Sequence, residues 1–176
     1  MLRLLVLRHA KAAPHDEKHD RERPLVARGR DDAARAGRAM RAKAYIPQRV
    51  LCSPAARTMQ TWEAVAGEMK TSPELEVSEA LYDAPEGAIL ACVRDVKKTA
   101  VVVLYVGHNP GLERFARRMV RAPADADERR RCERLALEFP TAALAVIDFD
   151  VASWAGIAPA KGVLSEFLTP AELRER

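Results

Sequence analysis

The sequence predicts an α/β fold, a three-layer α/β/α sandwich around a mostly parallel central sheet. Three observations predict it. Short apolar runs of strand length alternate along the chain with longer segments of helical periodicity. The clearest run, "AVVVLYV" (100–106), is apolar on both faces, as expected of a strand covered by helices on either side. Three of the runs stop abruptly at polar or basic residues, and in such sheets ligands collect at the carboxyl ends of the strands. A length of 176 residues, with 48% hydrophobic and 31% charged, suffices for one substantial core, and 1–176 reads as a single domain.

Each element has its own signal. Residues 2–8 are a short apolar run ended by polar residues, and form the first strand. The charged, aperiodic "HDEKHDRERP" (15–24) is a loop. From Arg28 to Ala44, Ala33, Ala36, Gly37, Met40 and Ala44 recur at helical spacing with arginines on the other face. "RVLC" (49–52) is a second strand; Ser53 then offers an N-cap and Pro54 a first helical residue, opening a helix to about Lys70. "LEVSEAL" (75–81) reads as a third strand, 86–98 as a helix, and Pro110 as the start of a helix to about Arg121. Residues 122–131 read as a solvated loop, "RLALEF" (134–139) and "ALAVIDFDV" (143–151) as paired strands around Pro140, and "GVLSEFL" (162–168) as a last strand.

Bulk properties narrow the function classes only a little. A formal charge of +4 and pI near 9.1 mildly favour an anionic partner. Cys52, Cys92 and Cys132 are odd in number and widely spaced, which suits reduced thiols rather than a disulfide scaffold. Arg3 and Arg8 bracket only a short apolar stretch, so the N-terminus does not read as a signal peptide, and no run approaches the roughly 20 apolar residues of a membrane span. The expectation is a cytoplasmic protein with no membrane partner.

The three abrupt strand ends carry the chemistry. Parallel strands bring Arg8 and His9, Cys52 and Ser53, and Gly107 and His108 to one edge of the sheet. Two of the following segments are helix N-termini, whose free N–H groups and positive dipole end favour an anion. Arg57 falls in the first turn of its helix, where a cation is electrostatically misplaced unless an anion faces it. The prediction is a phosphate-sized anion site containing two histidines. Taken singly, Arg8-His9 is an incidental dipeptide and His108 a turn cap; their recurrence at sibling strand ends favours the site.

Four ordered blocks resemble the histidine phosphatase superfamily: "LRHA" (7–10), "RPLVARG" (23–29), "CSPAARTMQT" (52–61) and "VGHNPGLE" (106–113). Within it the chain is most similar to the small SixA-type phosphohistidine phosphatases, and "LYDAP" (81–85) and "FPTAALAVIDF" (139–149) also look like that branch. The resemblance implies that His9 is the nucleophile, forming a phosphohistidine intermediate. It implies that Arg8 and Arg57 hold the non-bridging oxygens, that His108 adds a donor, and that Arg23 reaches the phosphate from the 15–24 loop. It implies no metal and no cofactor, since cationic side chains stabilise the transferring charge. Asn109 reads as a turn residue and Ser53 as an N-cap rather than a nucleophile.

Two departures bear on substrate. Ala10 stands where the broad superfamily has glycine, and alanine there favours the SixA-type branch. No carboxylate matches the position of a general acid; Glu79, Asp83, Asp16 and Asp20 are the candidates, each also readable as solvated surface. A phosphoramidate needs that acid less than an alcohol ester does, so the expected substrate is a phosphohistidine-bearing signalling protein. The alternative is a small phosphomonoester. A mutase fits less well, because the chain is short for substrate-covering insertions. Two rivals come from other classes. One is a metal site, His15 and His19 having i,i+4 spacing; the other is a non-catalytic anion or nucleic-acid binding module built on the arginine-rich segments 28–43 and 117–134. Acids interspersed among those arginines and few aromatics argue for solvated faces and against nucleic acid.

Overall fold

The computed structural model of the protein describes residues 1–14 and 19–175. Its strands are β1 (Leu2–Arg8), β2 (Arg49–Cys52), β3 (Glu74–Val77), β4 (Val102–Gly107), β5 (Leu144–Phe149) and β6 (Val163–Leu168), joined in one sheet of order β3-β2-β4-β1-β5-β6. The β3-β2, β2-β4 and β4-β1 pairs are parallel, and β5 runs against both of its neighbours. The helices are α1 (Ala27–Ala42), α2 (Ala56–Met69), α3 (Glu86–Arg94), α4 (Gly111–Met119), α5 (Ala126–Leu137) and α6 (Pro170–Arg174).

Alternation along β1 divides the interior into two cores. Leu4 and Val6 join Leu51, Val103, Tyr105 and Ile147 on the face covered by α3, α4 and α5, through Ile89, Phe115 and Leu135. Leu5 and Leu7 join Val50, Leu104, Val106 and Val146 on the other face, under Ala36, Met40, Trp62 and Val65 of α1 and α2. Strands buried on both faces carry no polar alternation, which is why β1, β4 and β5 are near-continuous apolar runs. The three-layer sandwich is therefore as the sequence predicts.

Several local expectations are overturned. Residues 126–137 are neither loop nor strand but helix α5. Asp125 caps it by accepting from the Glu128 N–H at 2.8 Å, while Glu128 accepts from the Ala124 N–H at 2.7 Å. That Asp-x-x-Glu start signal was legible, but the alternation in "RLALEF" mimics a strand. A strand would put Leu135 and Leu137 on one face, whereas Leu135 is 2% exposed and Leu137 83% exposed. β5 accordingly pairs with β1 and β6 instead of with a hairpin neighbour. Ser53 and Pro54 do not open α2, whose cap is Ala55; Ser53 is instead buried at the end of β2. The third strand stops at Val77, where a 3-10 turn (Glu79–Leu81) follows, and α3 ends at Arg94. The short α6, unforeseen, is capped by Thr169 with Glu172.

The segment after β4 is held in place by close backbone approach. A Cβ on Gly111 would lie 1.8 Å from the Ala84 carbonyl oxygen, so the start of α4 seats directly on the 81–85 segment. Both elements border the edge that carries His108. Gly111→Ala should therefore destabilise the fold by about 1–3 kcal/mol or more, since backbone must shift on one side. Urea or thermal unfolding of the purified variant checks this, and an unchanged midpoint would show that the two segments separate freely.

Candidate active site

The sheet register assembles the site. Arg8 pairs with Gly107 across β1 and β4, and Cys52 pairs with Val106 across β2 and β4. His9, Ser53 and His108, each one residue beyond, therefore meet at one edge. The two imidazole centroids lie 5.3 Å apart. A cavity of about 360 Å³ opens there, lined by Arg8, His9, Lys11, Asp20, Arg23, Arg57, Asp83, His108 and Asn109, among others.

His9 is arranged as a free base. Its Nδ1 lies 2.8 Å from the Ala10 carbonyl oxygen, which can only accept, so Nδ1 carries the proton and Nε2 keeps its lone pair. Burial depresses its pKa to about 4; the Ala10 carbonyl opposes this, and the Arg57, Arg8 and Arg23 charges reinforce it. The ring is neutral near pH 7. The backbone beside it is anchored, because the Ala10 N–H donates to Thr61 Oγ1 at 2.9 Å and Thr61 donates to the Arg57 carbonyl at 2.6 Å.

Arg57 sits in the first turn of α2 with its side chain 3% exposed. The anion that its position demands is supplied in part by the chain itself. Nη1 donates to the Asp20 carbonyl oxygen at 2.7 Å and Nη2 to Asp20 Oδ2 at 2.9 Å. Asp20 also accepts from the Tyr82 hydroxyl at 2.7 Å and from Arg23 Nε at 3.0 Å. Burial pushes Asp20 up, but these three donors outweigh it and hold the carboxyl well below the usual range. Asp20 is thus an ionised clamp for two arginines, not a proton donor.

Arg8 donates from Nη1 to the Phe139 carbonyl at 2.7 Å, and Asn109 Nδ2 donates to the same oxygen at 3.2 Å. Burial lowers the Arg8 pKa and Glu113 opposes that, yet a guanidinium stays charged. His108 is 2% exposed, with Nε2 2.6 Å from Ser53 Oγ and its ring in an edge-on contact with Tyr82. Burial, then Arg57 and His9, press its pKa down to about 3. Arg8 Nε, Arg57 Nε and His108 Nδ1 are buried and have no hydrogen-bond partner among the described residues. All three belong to residues that line the cavity, and a buried unsatisfied donor costs on the order of 1–3 kcal/mol.

The fold thus brings Arg8, His9, Arg23, Arg57, Asp83 and His108 together. Asp83 stands exposed at the rim, with Oδ1 3.9 Å from Arg57 Nη2 and 4.0 Å from His108 Nδ1. Glu79 does not join them; it is exposed and paired with Arg21 at 2.5 Å. Asp16 and His15 lie outside the described residues, and His19 precedes a 3-10 turn (Asp20–Glu22). Among the described residues no group of three or more His, Cys, Asp or Glu side chains is placed to hold a metal ion. Burial pushes the Cys52 thiol up to about 12, leaving it inert. Many arginines of the two basic segments pair with acids, as Arg38 does with Glu68, Arg117 with Glu113 and Arg121 with Glu128. Among the described residues no helix is long and apolar enough to cross a membrane.

Sequence reasoning missed the parts played by Tyr82 and Ser53. Ser53 had a signal, since it follows β2 just as His9 and His108 follow β1 and β4. Tyr82 had none beyond its presence in "LYDAP".

The sequence profile described as the histidine phosphatase superfamily (branch 1) matches residues 4–137. An uncharacterized protein of Mycobacterium tuberculosis (strain H37Rv) is 32% identical over 164 residues, 93% of this chain and 99% of its own. A structure from Nakamurella multipartitia, provisionally assigned as the phosphohistidine phosphatase SixA, aligns at TM-score 0.80 and 29% identity over 96% of each chain. Another from Agrobacterium tumefaciens, with the same provisional assignment, aligns at 0.78 and 28% over 96% of this chain and 98% of its own.

The buried rings set a pH dependence. NMR titration should place His9 near 4 and His108 near 3 instead of the usual 6.5. The unfolded chain takes up both protons around 6.5 while the folded state refuses them until lower pH. Stability should therefore fall as pH drops from 6.5 towards 4, each histidine contributing up to about 1.4 kcal/mol per pH unit. Ring midpoints near 6.5 would contradict this.

Proposed function

This chain belongs to the histidine phosphatase superfamily and is a phosphatase; on that premise we propose that it works through a phosphohistidine on His9 and that its substrates are phosphohistidine-bearing proteins. One observation carries the mechanism. The neutral His9 has its Nε2 lone pair free, in a cavity lined by Arg8, Arg57 and His108, whose buried Arg8 Nε, Arg57 Nε and His108 Nδ1 have no partner among the described residues.

In the first step His9 Nε2 attacks phosphorus and the bond to the leaving group breaks. For phosphohistidine this is a P–N bond, and the departing imidazole leaves neutral with a proton on its far ring nitrogen. Arg8, Arg57 and His108 hold the equatorial oxygens as their charge redistributes, and Arg23, fixed by Asp20, extends the cationic rim. Water then attacks the phosphorylated His9, inorganic phosphate leaves, and the free base is restored.

The carboxylates support the substrate class. Asp20 is ionised and committed to Arg57, Arg23 and Tyr82, and Glu79 is turned to Arg21. Neither can hand a proton to an alcohol, whereas the imidazole of phosphohistidine brings its own. The likeness to two structures with provisional SixA assignments, over nearly the whole chain, leans the same way. Asp83 favours a second reading. Its carboxyl at the cavity rim, 4.0 Å from His108 Nδ1, is within range of a small leaving alcohol, as a phosphomonoesterase requires.

A panel comparing a phosphohistidine protein with small sugar and nucleotide phosphates separates the two. The proposal expects the protein substrate to be dephosphorylated with the higher kcat/KM; efficient release from small esters alone would overturn it, and loss of ester turnover in Asp83→Asn would establish the second reading. His9→Ala should abolish turnover and leave no acid-labile phosphoenzyme to trap. Arg57→Ala should lower kcat/KM by about 10²–10³, the scale of losing one charge-stabilising donor. A fall of less than roughly threefold in a folded variant would remove Arg57 from the transition state.

A further inference from the structure

We infer that Ser53 is a positioning residue that locks His108 in its Nδ1–H tautomer and aims that N–H into the cavity. The inference rests on the reading of His108 as a phosphate ligand.

Ser53 is fully buried one residue beyond β2, on the strand adjacent to β4. Both of its backbone groups are committed. Its N–H donates to the Val106 carbonyl at 3.2 Å, and its carbonyl accepts from Thr58 Oγ1 at 2.7 Å and from the Cys52 thiol at 3.4 Å. The residue therefore cannot turn, and its hydroxyl is delivered 2.6 Å from His108 Nε2.

Two proton arrangements fit that short contact. In one, the Ser53 O–H donates to Nε2 and the ring carries its proton on Nδ1. In the other, Nε2–H donates to Oγ, and the serine hydrogen must find an acceptor elsewhere. The hydroxyl makes no other hydrogen bond among the described residues, and the nearby Ser53 carbonyl is already taken twice. The first arrangement leaves its one unpartnered proton on Nδ1, 4.0 Å from the Asp83 carboxyl, whereas the second leaves a serine hydrogen with no acceptor.

The Nδ1 side of the ring, toward Asp83 at the cavity rim, agrees. Asp83 Oδ1 lies 4.0 Å from Nδ1, and a carboxylate there favours N–H over a lone pair. A phosphate oxygen would have the same preference. With a lone pair on Nδ1, His108 would repel the anion that Arg8 and Arg57 attract. The depressed basicity of the ring makes the choice of tautomer matter, because near pH 7 His108 has only one proton to place. The arrangement parallels a Ser-His-Asp triad, in which a second buried group sets the tautomer of the working histidine.

The test is long-range 1H–15N NMR of histidine-labelled, ligand-free protein, combined with turnover. In the wild-type chain His108 should show its proton on Nδ1 and a hydrogen-bonded, unprotonated Nε2. Ser53→Ala should move the ring to Nε2–H or to a mixture, and lower kcat by roughly 10–100-fold, the usual scale for losing an orienting partner. KM should change little, and Ser53→Thr, which keeps the hydroxyl, should restore both tautomer and rate. A wild-type proton on Nε2 overturns the inference outright, even if Ser53→Ala does not fold. So does a folded Ser53→Ala with unchanged tautomer or unchanged kcat. If instead Nδ1–H is seen but His108→Ala keeps full turnover, the phosphate-ligand reading fails while the tautomer assignment stands.

Discussion

Positive charge concentrated at one buried edge governs how the site is built. Arg57, Arg8 and Arg23 converge beside His9, and burial makes the charge of Arg57 above all costly to hold. The chain offsets that cost without cancelling the charge. Asp20 takes the terminal nitrogens of Arg57 and one edge of Arg23, and the Phe139 carbonyl takes one nitrogen of Arg8. Arg8 Nε and Arg57 Nε are left over. In the proposed function that remaining charge meets a phosphate, while Asp20 keeps Arg57 and Arg23 in place.

Burial first, and the same charges second, set the chemistry of the histidines. A buried imidazole beside guanidinium groups cannot easily be protonated, so His9 and His108 are held neutral. For His9 neutrality frees Nε2 as a nucleophile. For His108 it makes the position of a single proton consequential, and the neighbouring hydroxyl beyond β2 then acquires a role. The proposed nucleophile and the proposed ligand thus share the same buried surroundings, and both depend on their strands lying side by side.

Two glutamates show how paired charges divide site from surface. Glu113 accepts from Asn109 at 2.9 Å and lies close enough to Arg8 to oppose its desolvation, so it serves the site from α4. Glu79, three residues before Tyr82, faces Arg21 in solvent. Glu113 is set among arginines of α4 and Glu79 in an acidic stretch, and the fold turns one toward the site and the other toward solvent.

The layered α/β architecture follows from residue order alone, because strands covered on both faces must be apolar throughout, and β1, β4 and β5 are. So does the recurrence of Arg8-His9, Cys52-Ser53 and Gly107-His108 at sibling strand ends, and the need of Arg57 for an anion. Residue order misled at 126–139, where helix and strand periods both fit a short apolar stretch and the buried face had to decide between Leu135 and Leu137. The parts taken by Asp20, Tyr82, Ser53 and Glu79 emerge only in the folded chain. Hydrogen bonds between residues 37, 55, 58 or 62 positions apart have no signature in local periodicity, since they exist only once the sheet register has brought the strand ends together.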